Sequence, residues 1–247
     1  MVKQDNLIAD GASQEMRSFI GSLPNAFEHG GRIIYDKRNQ IRLFDVDGRT
    51  VVVKRYKRPN LTQCVAYSWF TNNKAQKSFY YASRLDTLGI MTPHAIAAVT
   101  CREHTIVRRY YLVTEICEWP SCWSLLDDGF GQKQELASAL AAQLIRMHEA
   151  GFLHGDTNLS NFLYNPTDMG QISVIDINRS KFIGRPATQK ECLQNMFRLT
   201  HVRPMLHQII TTYATQRGWD ATQCISYVDK CLKKFETRKR LTHFGKI

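Results

Sequence analysis

MHEAGFLHGDTNLSNFLYN (Met147–Asn165), followed shortly by ISVIDINR (Ile172–Arg179), is the stretch that decides how this chain is read. Its octet HGDTNLSN (His154–Asn161) sets Asp156 and Asn161 in one polar loop. FLYN and ISVID read as short strands. Paired as a hairpin, they would deliver Asn161 and Asp176 to one edge. Phosphoryl transfer needs an Asp to orient a hydroxyl and accept its proton, hard oxygen ligands for Mg²⁺, and a cation for the nucleotide phosphates. Asp156 fits the first task, and Asn161 with Asp176 fits the second.

Upstream, QKQELASALAAQLIRMHEAG repeats Leu136, Leu140, Leu144 and Met147 at helical spacing and stops at Gly151. Further back, residues 31–54 read as three antiparallel strands. They are GRIIY, then IRLFDV after the turn Asp36-Lys37-Arg38-Asn39, then RTVVVKRY after the hairpin signal Asp47-Gly48. Lys54 on the last strand supplies the cation. Val65 to Leu88 reads as one long helix, with breaks following at Gly89 and Pro93, and RRYYLVTEI (Arg108–Ile116) reads as a further strand. From about Glu191 to Phe235 the pattern is mainly helical. A β-rich front and an α-rich back predict an α+β fold in two lobes, residues 1–116 and 117–247, forming one catalytic domain.

The 247 residues suffice for a sizeable core, and 43% hydrophobic with 22% charged content argues against a disordered chain. The net charge of +11 favours anionic partners: nucleotide, nucleic acid, phospholipid headgroups or phosphorylated glycans. The cysteine count, seven, is odd, and Cys117 and Cys122 have no matching pair at metal-site spacing, so reduced thiols are expected. No signal-like apolar run opens the chain and none reaches membrane-spanning length. The expectation is a cytoplasmic protein, with peripheral contact to an anionic membrane surface left open.

Together these residues resemble the protein-kinase-like superfamily. His148 and Gly151 stand where kinases end the helix leading into the catalytic loop, and His154, Asp156, Asn161 and Asp176 follow in step. HGD in place of HRD, IDINR in place of DFG, and LGIMTP after the first long helix look most like the bacterial lipopolysaccharide core (Kdo/heptose) kinase family. The resemblance runs from about residue 30 to 235 and is strongest over 147–179. It implies a two-lobed kinase-like fold, ATP and Mg²⁺ as cofactors, and transfer of the γ-phosphoryl group to a hydroxyl of an inner-core sugar. It also implies a place in the cytoplasm or at the inner face of the inner membrane. By the same resemblance Asp156 is catalytic, Asn161 and Asp176 hold the metal, and Lys54 binds the α/β-phosphates. Glu115 to Glu118 would be a hinge, Cys117 included, whose backbone binds adenine. His154 would then brace the loop rather than transfer protons.

The chain also departs from the superfamily pattern. No GxGxxG precedes the second strand; Lys37 and Arg38 either add charge over the phosphates or form an exposed basic turn. KAQKSFYYASRLD offers no Glu to Lys54, and Tyr80 or Ser78 stands near the expected position. Between Asp176 and the helix near Glu191 lie only about a dozen residues with no APE element, too few for a peptide platform. A glycan or other small-molecule acceptor is therefore favoured. Arg179, Lys181 and Arg185 make this connection basic, as an anionic acceptor requires, with Arg198, His201 and Arg203 as further candidates. Trp119 and Trp123 either flank adenine or fill a gap. Competing readings are a nucleotide-binding pseudokinase and a kinase with a protein or other small-molecule acceptor. Nucleic acid is not expected as a partner, because it leaves the ordered quartet unexplained.

Overall fold

A computed structural model of the chain describes residues 2–126 and 133–244. It divides into two compact units, one built from residues up to Thr87 plus Thr92–Glu118, the other from Leu88–Met91 and from Trp119 onward. Leu88–Met91 belongs with the second unit, where the Val174 N–H donates to the Met91 carbonyl at 2.9 Å. Among the described residues no helix is long and apolar enough to cross a membrane.

The first unit is one antiparallel sheet with helices on its faces. Its elements are β1 (Val2–Ile8), α1 (Gln14–His29), β2 (Arg32–Asp36), β3 (Gln40–Val46), β4 (Arg49–Arg55), α2 (Leu61–Trp69), α3 (Lys74–Thr87), β5 (Ala95–Glu103) and β6 (Ile106–Glu115). The strand order is β1-β5-β6-β4-β3-β2. Asp47 and Gly48 both take positive φ, at 55° and 68°, the backbone a tight hairpin of this hand requires. Strand alternation then sorts the side chains. Val51 and Val53 on β4 face α1, whose Met16, Ile20, Leu23 and Phe27 recur at helical spacing and are fully buried against them. Lys54 and Tyr56 point to the opposite face, where Tyr56 packs with Ala75 of α3 and Tyr110 of β6.

Two parts of this unit differ from the sequence reading. β1 and α1 precede the region in which strands were expected. The single helix expected from Val65 to Leu88 is two helices, because Asn73 interrupts it. The Asn73 side chain accepts from the Ala75 and Gln76 N–H groups, capping α3, and donates to the buried Thr100 hydroxyl at 2.8 Å. A cap needs a non-helical backbone at its own position, so the helix cannot run through it.

The second unit is mainly helical: α4 (Lys133–Glu149), α5 (Gln189–Met196), α6 (Arg203–Gln216) and α7 (Ala221–Phe244), with the strand pairs β7 (Phe152–Leu153) with β10 (Lys181–Phe182) and β8 (Phe162–Asn165) with β9 (Asp168–Val174). Leu136, Leu140, Leu144 and Met147 line the buried face of α4, and α6 buries Leu206, Ile209, Ile210 and Tyr213. The second hairpin strand ends at Val174, so Asp176 lies two residues beyond it rather than closing it. The Ile175 N–H leaves the ladder to donate to the Asn161 carbonyl at 2.9 Å, and Asp176 turns into the left-handed region at φ 57°.

Candidate active site

The segment from His148 to Asn161 is built around two buried histidines and two close-approach glycines. At Gly151 φ is +68° and an added Cβ would lie 2.3 Å from the Arg185 carbonyl oxygen. At Gly155 a Cβ would lie 2.2 Å from the Arg179 carbonyl oxygen, so the central position of HGD has room only for glycine. His154 is buried, with the rings of Phe152 and Phe162 at 6.3 and 5.8 Å. Its Nδ1 accepts from the Asp156 N–H at 3.1 Å, and its Nε2–H donates to the Ile175 carbonyl at 3.0 Å. Burial pushes its pKa down. The neutral Nε2–H tautomer is the one these partners need, and it ties the Asp156 segment to the Asp176 segment.

Asn195 on α5 braces the loop from behind. Its Nδ2 donates to the His154 carbonyl at 2.7 Å, its backbone carbonyl accepts from the Thr157 hydroxyl, and its Oδ1 accepts from His148 Nε2 at 3.1 Å. His148 Nδ1 in turn faces the Tyr213 hydroxyl at 2.9 Å, and burial holds this imidazole's pKa down to about 4.

The oxygen-bearing residues converge within this unit. Asn161 Nδ2 donates to the Asp156 carbonyl at 2.8 Å, which turns its Oδ1 the other way. Asn178 Nδ2 donates to Asp176 Oδ1 and holds that carboxylate in place. A neutral amide oxygen and a carboxylate are hard donors of the kind that would suit Mg²⁺. Among the described residues no cluster of three or more His, Cys, Asp or Glu offers a cage of another kind.

The Asp156 carboxylate is flanked by two guanidinium groups. Arg198 Nη2 lies 3.0 Å from Oδ1, and Arg179 Nη1 lies 3.5 Å from Oδ2. The Arg198 guanidinium stacks over the Phe235 ring at 5.1 Å, which fixes its reach. Arg179, Lys181, Arg198, Gln194 and Asn195 line an adjoining cavity of about 310 Å³. Arg185 stands apart. It pairs with both oxygens of Glu191 at 2.8 and 2.9 Å, and Glu191 closes the capping box of α5 with Thr188. The Arg185 hydrogen bonds, with those from Thr188, hold the Glu191 pKa down to about 2. Arg203 is likewise engaged, with Asp229 and Glu236 on α7 at 3.2 and 2.9 Å, while His201 lies beside the Trp123 ring.

The remaining candidates lie in the first unit. Lys54 is half-buried on β4, with its Nζ 5.1 Å from the centroid of the Tyr56 ring. That ring stacks on Tyr110 at 5.3 Å, and its hydroxyl meets the buried Ser78 hydroxyl of α3 at 3.2 Å. Tyr56 thus stands between Ser78 and Lys54, while Tyr80 is exposed. Lys37 and Arg38, in the exposed β2–β3 turn, line a cavity of about 350 Å³ with Lys57 and Arg58. Glu115 ends β6, its N–H bonded to the His94 carbonyl at 3.0 Å and its carboxylate 3.8 Å from Arg49; Cys117 follows, half-buried, in the segment beyond the strand. Tyr56 and Asn195 were not singled out from the sequence, and only strand alternation, placing residue 56 on the face of residue 54, pointed to the former.

Comparison with known proteins gives the family and the fold. A profile described as the lipopolysaccharide kinase (Kdo/WaaP) family matches residues 34–222, well over half of the chain. Among solved structures, "WaaP in complex with acyl carrier protein" superposes with a TM-score of 0.59 at 18% identity, covering 93% of this chain and 98% of that one. A second, titled "A divergent kinase lacking the glycine-rich loop regulates membrane ultrastructure of the Toxoplasma parasitophorous vacuole", gives 0.46 at 14% identity, covering 94% and 74%. No curated protein sequence matches. The fold is kinase-like, and the chain belongs to the lipopolysaccharide kinase (Kdo/WaaP) family.

Proposed function

We propose that this kinase transfers the γ-phosphoryl group of ATP to a hydroxyl of an anionic lipopolysaccharide inner-core sugar, Kdo or heptose. The observation that carries the reading is the Asp156 carboxylate between Arg179 and Arg198 at the edge of a basic cavity. Asp156 orients the acceptor hydroxyl and takes its proton as the oxygen bonds to the γ-phosphorus. The bond from that phosphorus to the β–γ bridging oxygen breaks, and ADP leaves. Arg179, Lys181 and Arg198 bind the acceptor's carboxylate or phosphate, whereas Arg185 belongs to the α5 cap. Lys54 serves the α/β-phosphates, with Lys37 and Arg38 as added charge, and the Glu115–Glu118 backbone, Cys117 included, meets adenine. Mg²⁺, when bound, supplies neutralisation of phosphate charge, and Asn161 and Asp176 are the residues that would hold it. The setting for this chemistry is the cytoplasmic side of the membrane that carries the acceptor.

Mass spectrometry of the producing cell's lipopolysaccharide tests the acceptor. Loss of one core phosphate without the protein, restored by wild type but not by Asp176→Ala, is expected; an unchanged core overturns the glycan assignment. With purified protein, Asp156→Asn should lower kcat by roughly 10²- to 10⁴-fold at unchanged melting temperature. Equal inactivity of wild type and variant on a range of core glycans would defeat this reading and leave its two competitors.

A further inference from the structure

The outer face of α2 is an apolar ridge. Leu61, Val65 and Trp69 follow one another at four-residue spacing, with Phe70 at the C-cap, and they are 81%, 47%, 56% and 79% exposed. The opposite face is anchored to the sheet. Cys64 is buried, and the Ser68 hydroxyl donates to the Cys64 carbonyl and accepts from the Val107 N–H of β6 at 3.0 Å. Tyr67 packs edge-on against Tyr110 at 5.7 Å. The ridge is therefore presented outward by a helix whose inner contacts are satisfied. Three large apolar side chains in one row on a nine-residue helix, with a fourth at its C-cap, are more than scattered surface hydrophobicity.

Charge identifies the occupant. α2 itself carries no charged residue, and no Asp or Glu occurs between Asp47 and Asp86. Arg49, Lys54, Arg55, Lys57, Arg58, Lys74, Lys77 and Arg84 all fall in that interval. Of these, Lys57 and Arg58 are exposed immediately ahead of the ridge. An uncharged apolar face ending in Trp and Phe, with cations beside it, has the chemistry of a segment that lies in the headgroup region of an anionic bilayer. We propose that the α2 ridge, Leu61, Val65, Trp69 and Phe70, with Lys57 and Arg58 beside it, docks the kinase on an anionic membrane surface. The proposal rests partly on the acceptor reading above, because a lipid-borne sugar must be met at the membrane that holds it.

The test uses the full-length chain and vesicles of phosphatidylethanolamine with phosphatidylglycerol, against phosphatidylcholine alone. Wild type should co-sediment with the anionic vesicles, less so as salt is raised, and show a blue shift of tryptophan fluorescence that Trp69→Phe removes. Leu61→Asp with Phe70→Asp should weaken vesicle binding by about tenfold or more, with an unchanged circular dichroism spectrum. Lys57→Glu with Arg58→Glu, which leaves the ridge intact, should weaken it several-fold. The ridge variant should keep wild-type turnover of a deacylated, water-soluble core glycan while losing turnover of the same core in vesicles. Vesicle binding equal to wild type in both variants overturns the proposal. So does a wild-type chain that ignores anionic vesicles but forms a dimer, or binds an acidic protein, through this ridge. Vesicle binding needs no catalysis, so ridge-dependent binding by a chain that phosphorylates no core sugar would sink the acceptor reading and leave the membrane surface standing.

Discussion

At the scale of single residues, one arginine separates from another by what its guanidinium touches. Arg198 reaches Asp156 at 3.0 Å, whereas Arg185 is engaged by Glu191. Arg198→Ala should lower kcat/KM for the acceptor by roughly 10- to 100-fold, the value of a charge-assisted hydrogen bond, with KM for ATP unchanged. Arg185→Ala should leave acceptor kinetics intact and act only on thermal stability. Steady-state kinetics on both variants check this, and equal acceptor effects would refute the distinction. Lys54 gives a second contrast, because its ammonium lies over the Tyr56 ring. Tyr56→Phe keeps the ring and should raise KM for ATP little, while Tyr56→Leu removes it and should raise KM several-fold. Asp156, Asn161 and Asp176 could be singled out from the sequence because each lies in or beside one contiguous stretch. Tyr56 could not be, since a tyrosine near a lysine gains meaning only once the strand fixes their common face. Arg198 ranked low because its approach to Asp156 crosses 42 positions of chain.

At the scale of elements, the strands from residue 31 onward and α4 were legible because their periodicities are local and their stops are chemically marked, by Asp47-Gly48 and by Gly151. The division of the expected 65–88 helix was not, because Asn73 looks like any polar helix residue until Thr100 of β5 is placed beside it. That tertiary hydrogen bond, together with the cap, overrides a continuous helical pattern. β1 was missed for a similar reason. VKQDNLI has little alternation of its own and becomes a strand by pairing with β5 along its whole length, Val2 with Glu103 through Ile8 with Ala97. The Asn73 account has a measurable consequence. Asn73→Ala removes an N-cap and leaves the buried Thr100 hydroxyl without its donor, and should cost about 1–3 kcal/mol in urea denaturation. Asn60→Ala, which removes the exposed cap of α2, should cost about 1 kcal/mol or less. Equal losses would show that the Thr100 bond contributes nothing.

At the scale of the molecule, the second unit stores a pH dependence in its core. His148 joins α4 to α5 and α6 through Asn195 and Tyr213, and its folded pKa is about 4 against an unfolded value near 6.5. Between those values the unfolded chain binds a proton that the folded chain excludes, so stability rises with pH across the interval. The contribution is fully present above about pH 6.5, is lost as pH falls toward 4, and does not change below that, where both states are protonated. Its size is about 3 kcal/mol at most, from the linkage relation. His154, also pushed down by burial, acts with the same sign. Acid adds a second stress, because protonating carboxylates increases a positive charge that already stands at +11. His148→Gln separates the two. Its melting temperature should start lower at neutral pH, since a buried hydrogen-bond relay is disturbed. It should then fall less steeply than wild type between pH 6.5 and 4, because the charge repulsion remains and the histidine term is gone. Melting curves at closely spaced pH values read both slopes, and parallel curves would mean that the proton enters elsewhere than at His148.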